Sequence, residues 1–272
     1  MLREKSYSMT LGHQAERVVK VLIQMPQFAS YASAREVAER AGANVSTVVR
    51  TAQQLGFEGW TDLRSELRSL YLTSLVEPDG NEINAAELPS AMLKQDAVNL
   101  SALTTAENAN AIHRIARTML SARRTVILAT GSGAGPAQIL YYLSSIYGLD
   151  IRLATGPPTT QAVDVSQLDE RDCLIVLNVW RLTRALRQLA SLGQSNGATV
   201  AVFTDLRSSP LCESADHVVV TPMESIGATP SLTALVAAIQ ALLSELEKAA
   251  PQATVRAIER SWETLGLMDD QV

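Results

Sequence analysis

Five short apolar runs, separated by stretches of helical periodicity, limit the fold of this chain more than any other feature. They occupy residues 125–130, 151–154, 173–178, 199–204 and 217–221, and most are rich in Val, Ile and Thr. Runs that are apolar throughout, rather than alternating, suit strands buried on both faces of a parallel sheet. Helical patterns follow at 137–147, 160–168, 182–193 and 231–249, with a helical tail ending near Leu265. Strand and helix alternating in this way predict an α/β body built on a doubly wound, five-stranded parallel sheet. Ligands of such sheets sit beyond the ends of the strands, so the loops after the first and third runs are where chemistry is expected.

Ahead of that body the pattern is entirely helical. Val18, Val19, Leu22 and Ile23 share one face of a helix over 14–25, which Pro26 closes, and 27–31 connects onward. Ser33 and Glu36 have the spacing of a capping box that opens a helix over 34–41. After the Gly42-Ala43 turn, Asn44 is expected to cap the next helix with its side chain. Val48, Ala52 and Leu55 then form its buried stripe, and Gly56 ends it. Ser46, Thr47, Arg50 and Gln54 fall off the stripe. A short face of hydroxyl, amide and guanidinium groups suits base edges and phosphates better than catalysis. Two helices joined by a tight turn, the second polar on its outer face, form a helix-turn-helix. A helical bundle without a ligand is the plainer alternative.

Phe57, Trp60 and Leu63 make an apolar cluster that leads into a charged helix over 61–72. The stretch 76–88 is acidic and turn-rich, including Glu77-Pro78-Asp79-Gly80, and reads as a linker. Two long helices follow at 91–105 and 107–122, with Leu93, Ala97, Leu100 and Leu103 on one face of the first. The expected domains are a helix-turn-helix head at 1–75, a linker at 76–90 and an α/β body at 91–272.

Charge supports the division. The whole chain of 272 residues carries −5, which argues against a general nucleic-acid coat. Residues 1–75, however, hold nine Lys/Arg against seven Asp/Glu, leaving 14 against 21 for the rest. A mildly basic head on an acidic body fits a DNA-facing module. Cys173 and Cys212 lack CxxC spacing and read as plain thiols, and His13, His113 and His217 match no metal-ligand spacing. Neither a metal nor a cofactor is expected. No apolar run approaches the roughly 18 residues of a membrane span, and no signal pattern opens the chain, so a cytoplasmic protein is expected.

The residues from Ala34-Arg35-Glu36-Val37-Ala38 through Asn44, Thr47-Val48-Val49-Arg50 and Leu55-Gly56-Phe57 resemble the RpiR family of bacterial transcription regulators. In that family the head precedes a sugar-isomerase (SIS) domain that binds phosphosugars. The body resembles that domain in its strand, glycine turn and helix from Thr125, and in Phe203-Thr204-Asp205 leading through Ser208-Ser209-Pro210-Leu211 to Ala215-Asp216. The resemblance covers about residues 10–70 and 90–250. Two loops depart from it. Gly135 stands where such domains usually carry a serine. The usual Ser-x-Ser-Gly-x-Thr loop reads Asn178-Val179-Trp180-Arg181-Leu182-Thr183, and only the threonine is kept.

The candidate DNA contacts are Arg35, Asn44, Ser46, Thr47 and Arg50, with Lys20 as a further phosphate contact. For an effector they are Gly131, Ser132, Gly133, Gly135, Arg181, Thr183 and Arg184. The glycine turn has three readings. It is an anion cradle at a helix start, a poor GxGxxG dinucleotide site, or a tight turn needed only for packing. Arg181 and Arg184 are placed to bind an anion by charge-assisted hydrogen bonds, or they are solvated residues opening a helix. Trp180 is a stacking wall or loop packing. The expected partners are operator DNA, a phosphosugar or other small anion, and further copies of the chain in a homodimer or homotetramer. No membrane is expected. The alternative is a sugar-phosphate isomerase, for which Glu224 is a candidate acid.

Overall fold

The computed structural model describes residues 12–74, 88–207, 209–226 and 229–269. Most of the expected linker and Ser208 lie outside them, while 88–90 are helical. The chain divides after Met92 into two compact units, the smaller of which also takes in Ile226.

The head is built of α1 (His13–Gln24), α2 (Pro26–Tyr31), α3 (Ala34–Ala41), α4 (Val45–Gln54) and α5 (Trp60–Ser74). The segment read as a connector is thus a short helix. Pro26 ends α1 and also opens α2, because proline is well tolerated where a helix needs no N–H. Val18 and Leu22 of α1, Val37 and Ala38 of α3, Val48 and Ala52 of α4 and Leu63 of α5 close one core. Trp60 is buried with them, and its Nε1–H donates to the Ala32 carbonyl at 3.1 Å.

The body adds α6 (Leu88–Leu103) and α7 (Ala106–Ser121), then the sheet and its crossovers. The strands are β1 (Thr125–Ala129), β2 (Ile151–Ala154), β3 (Cys173–Asn178), β4 (Thr199–Thr204) and β5 (His217–Val220), all parallel, in the order β2-β1-β3-β4-β5. Between them run α8 (Ala134–Ile146), α9 (Pro158–Ser166) and α10 (Arg184–Ser195), followed after β5 by α11 (Thr233–Ala249) and α12 (Gln252–Thr264). Side chains alternate between two cores. Ile127, Ile175 and Phe203 join α7, α8 and α11 on one face. Val126, Leu174 and Val200 join α9 and α10 on the other. The β1–β2 and β3–β4 crossovers therefore lie on opposite faces, which makes the β1/β3 boundary the switch point where a crevice opens.

Ion pairs gather at the opposite, N-terminal edge of the sheet. Arg123 grips Asp172 through two hydrogen bonds of 3.0 and 2.6 Å, and Arg124 faces Asp150 at 3.4 Å. Burial alone would raise the Asp172 carboxyl, but the hydrogen bonds from Arg123 and the Asp169 N–H outweigh it and hold it below the usual range.

Two helix assignments shift. Over 131–136 a single turn was expected, yet Gly131–Gly133 is a 3₁₀ turn and α8 already starts at Ala134. Pro136 is consequently the third helical residue, where its missing N–H is still one of the donors without an intrahelical partner. In α6 the apolar stripe is split: Leu93, 70 % exposed, Ala97 and Leu100 face outward, Leu103 packs against the body core, and Asn99 is buried.

Candidate functional site

In the head, α3 and α4 meet at Gly42, whose φ of +58° is the left-handed cap that ends α3. The guanidinium of Arg17, a residue the sequence reading leaves out, lies where a Cβ at Gly42 would go. The capping box is formed: Ser33 Oγ accepts from the Glu36 N–H at 3.2 Å and Glu36 Oε2 accepts from the Ser33 N–H at 2.8 Å. Asn44 departs from expectation. It holds the N-cap position with extended backbone, but its exposed side chain makes no cap hydrogen bond.

On α4, Ser46, Arg50 and Gln53 are exposed at steps of four and three, opposite the buried Val48, Ala52 and Leu55. Thr47 stands at the flank of that face. Gln54 is exposed as expected, and Gln53, which the sequence reading leaves out, donates through Nε2 to the Glu58 carbonyl at 3.5 Å. Among the described residues Arg50 has no ion-pair or hydrogen-bond partner, so its charge is free for an outside group. Arg35 lies on α3 and is not free: its Nε bonds Glu39 at 3.1 Å, a solvent-exposed pair of small worth. Lys20 is exposed on α1.

In the body, the glycine turn after β1 and the loop after β3 face each other across the switch point. Its glycines have different roles. Gly133 is buried, and a Cβ there would come 2.9 Å from the Leu177 carbonyl, so it is required for close approach of the turn to β3. Gly131 is required by its φ of +56°. Gly135 is exposed with open space around it, so no steric reason demands glycine. Ser132 is half-buried between them.

Across the crevice Trp180 has φ +81°, the only positive value at a non-glycine among the described residues. A bulky residue held there costs on the order of 1–3 kcal/mol. Arg181 was expected beside the opening of a helix at Leu182, but α10 begins at Arg184. Arg181 instead stacks its guanidinium 4.6 Å from the Trp180 ring centroid. Thr183 caps α10, its Oγ1 accepting from the Leu186 N–H at 3.2 Å, which leaves the hydroxyl hydrogen for another partner. Arg184 is exposed on the first turn. The turn and this loop thus bring all seven candidate effector residues to one edge of the sheet.

The same edge carries a group not singled out as a site residue. Asp205 follows β4, and burial, reinforced by the charge of Glu224, pushes its carboxyl up to about 6. The Thr204 hydroxyl, which donates to Asp205 at 3.2 Å, and the Trp180 backbone partly oppose that shift. Applying the strand-end rule to β4 as well as β3 would have found it. Because the folded value lies above the unfolded one of about 3.9, this carboxyl's stability contribution is full below that value and is lost as pH rises through about 6. Asp205→Asn is expected to raise the melting temperature at about pH 8, with the gain shrinking toward about pH 4. A pH-independent difference would contradict that assignment.

Comparison with known proteins gives this geometry a family. Residues 4–74 match the rpiR-family helix-turn-helix domain, and residues 119–245 match the SIS domain. The chain belongs to the RpiR family. The HTH-type transcriptional regulator RpiR of Escherichia coli strain K12 is 27 % identical over 232 residues, covering 81 % of this chain and 75 % of its own. HexR, an HTH-type transcriptional regulator of Pseudomonas aeruginosa, is 25 % identical over 213 residues, covering 74 % and 73 %. Among solved structures, the sugar isomerase domain of an RpiR transcription factor from Sphaerobacter thermophilus superposes with a TM-score of 0.61 at 24 % identity, covering 64 % of this chain and 99 % of its own. Vibrio vulnificus NanR, complexed with ManNAc-6P, superposes with a TM-score of 0.66 at 15 % identity over 99 % of both chains. These two likenesses establish the fold of this RpiR-family chain. No described helix is long and apolar enough to cross a membrane.

Proposed function

We propose that this RpiR-family chain is a transcription regulator that reads operator DNA with α4 and senses a small, anionic, sugar-derived metabolite at the β1/β3 crevice. The observation that carries the reading is the exposed outer face of α4, with Arg50 free of any described partner beside Ser46 and Thr47, on a family-matched helix-turn-helix. Ser46, Thr47 and Arg50 supply base and phosphate contacts. Asn44, not spent on capping, Lys20, and Arg35, held only by a surface pair, reach the phosphate backbone. Symmetric half-sites call for at least two heads, so the protein works as a homodimer or homotetramer. The outward Leu93 and the 60 % exposed Val98 of α6 supply apolar surface for such assembly. It acts where its DNA is, in the cytoplasm.

At the crevice Arg181 and Arg184 replace the hydroxyls that the family loop usually offers, while Ser132, the Thr183 hydroxyl and the N–H groups of the Gly131–Gly133 turn complete an anion site. Effector binding alters operator affinity by favouring one arrangement of the assembled bodies. The protein needs no cofactor and turns over no substrate; the relatives it matches are named as transcriptional regulators. A thermal-shift panel of sugar phosphates, sugar acids and inorganic anions tests the sensor. At least one should stabilise the protein and change its operator affinity, and Arg181→Ala with Arg184→Ala should weaken that binding at least about tenfold, the worth of one charged hydrogen bond. Unchanged affinity in the double variant would remove the arginines from the site.

A sugar-phosphate isomerase has one observation in its favour: Asp205, near 6, lies in the range of a general base. Interconversion of an aldose and a ketose phosphate that disappears in Asp205→Asn would establish it in place of the pure sensor.

A further inference from the structure

Helix α4 begins at an apolar tip, on the side that carries Val48 and Ala52 and roughly a quarter turn or more from the polar stripe. Val45, its first residue, is 46 % exposed, whereas Val48, Ala52 and Leu55 are buried and Val49 is half-buried against the head core. Helix stability does not ask for valine at this position. A first helical turn favours Asp, Glu, Ser or Pro, which meet the free N–H groups and the positive end of the dipole, and valine does neither. Core packing does not ask for it either, since nearly half its surface faces solvent. Its neighbours point the same way: Ser46 and Arg50 are exposed, and the Asn44 side chain leaves the helix end uncapped.

Docking a helix-turn-helix puts the N-terminal residues of its second helix against base edges in the major groove. The apolar feature of a base edge there is the C5-methyl of thymine. We infer that Val45 reads a thymine by packing on its methyl group, beside the polar contacts of Ser46 and Arg50. The inference rests on the regulator reading and adds a specificity-determining residue to it. It also names the base: the half-site should contain a T·A pair whose thymine methyl is required, independent of any hydrogen bond made by that pair.

Uracil isolates the methyl group, because it pairs as thymine does and lacks only that group. The full chain is used to select binders from random-sequence duplexes, and each recurrent thymine of the selected site is then replaced by deoxyuridine, one at a time. With the wild-type protein, one replacement in each half-site should weaken binding about fourfold in gel shifts, the effect of one buried methyl at about 0.8 kcal/mol. Val45→Ala should weaken binding to the thymine site by a similar factor and be indifferent to the same uracil, the mark of direct coupling. Val45→Thr, which keeps one methyl and the β-branched shape, should retain part of the discrimination. Val45 is exposed, so the melting temperatures of the variants should match wild type. If every uracil is neutral, or costs Val45→Ala as much as wild type, the inference is overturned while the regulator reading stands. If no site is selected at all, both are overturned.

Discussion

Arg50→Ala should lower operator affinity by about tenfold to a hundredfold, as expected for a bidentate base contact worth about 1–3 kcal/mol, and leave the melting temperature unchanged. Arg50 has nothing to lose inside the protein. It is exposed on the second turn of α4, on the stripe through Ser46 and Gln53, and no described residue pairs with it. Truncating it opens no cavity and orphans no partner, so the loss should appear in DNA binding alone. Salt dependence separates the two ways an arginine can act. A phosphate contact reduces the salt slope by about one and weakens all sequences alike, whereas a base contact relaxes specificity at one position. Wild-type affinity in the variant, measured by gel shift, would move the reading face off α4.

The second large effect is in the body. Gly133→Ala should destabilise the protein by about 1–3 kcal/mol, the usual range for forcing an extra methyl into a packed site. The added Cβ would stand 2.9 Å from a backbone carbonyl of β3, an atom that cannot rotate away. Either the glycine turn lifts off β3 or the strand bends, and both widen the crevice. Gly135→Ser, two residues on, should be neutral within about 0.5 kcal/mol or stabilising, because glycine in a helix costs about that much and the new side chain meets open space. It also places a hydroxyl where SIS domains usually have one, so tighter binding of sugar phosphates is expected. Thermal melts of the two variants check the pair. Equal destabilisation by both would mean the turn needs glycine throughout and that its packing role has been assigned too narrowly.

Much of this was legible in the sequence for physical reasons that can be named. Buried parallel strands must be apolar on both faces, so their positions could be read to within a residue or two, and the 2-1-3-4-5 sheet follows a common doubly wound order. The Ser33–Glu36 box and the Gly42 turn are local devices, visible because their partners lie within five residues of each other. What was not legible depends on distant partners. The inner face of α6 is held by Asp96 to Thr233 at 2.8 Å and by Asn99 to the Glu224 carbonyl at 2.7 Å, contacts spanning more than a hundred residues. Periodicity alone groups the leucines of that helix on one face and cannot tell which face the body covers. The positive φ of Trp180 and the raised carboxyl of Asp205 are equally non-local, since each arises from what the sheet edge packs around it. The departure of that loop from the family pattern could be read, but its consequence, an arginine stacked on a strained tryptophan, could not.

The central claim, that this chain reads specific DNA as a symmetric assembly, is tested most directly by selecting binders for the full-length protein from random duplexes. The account predicts enrichment of an inverted repeat whose half-sites are centred about one helical turn, 10–10.5 base pairs, or a multiple of it apart, with Arg50→Ala failing to enrich the same sequence. A folded protein that returns the input pool unchanged would contradict it.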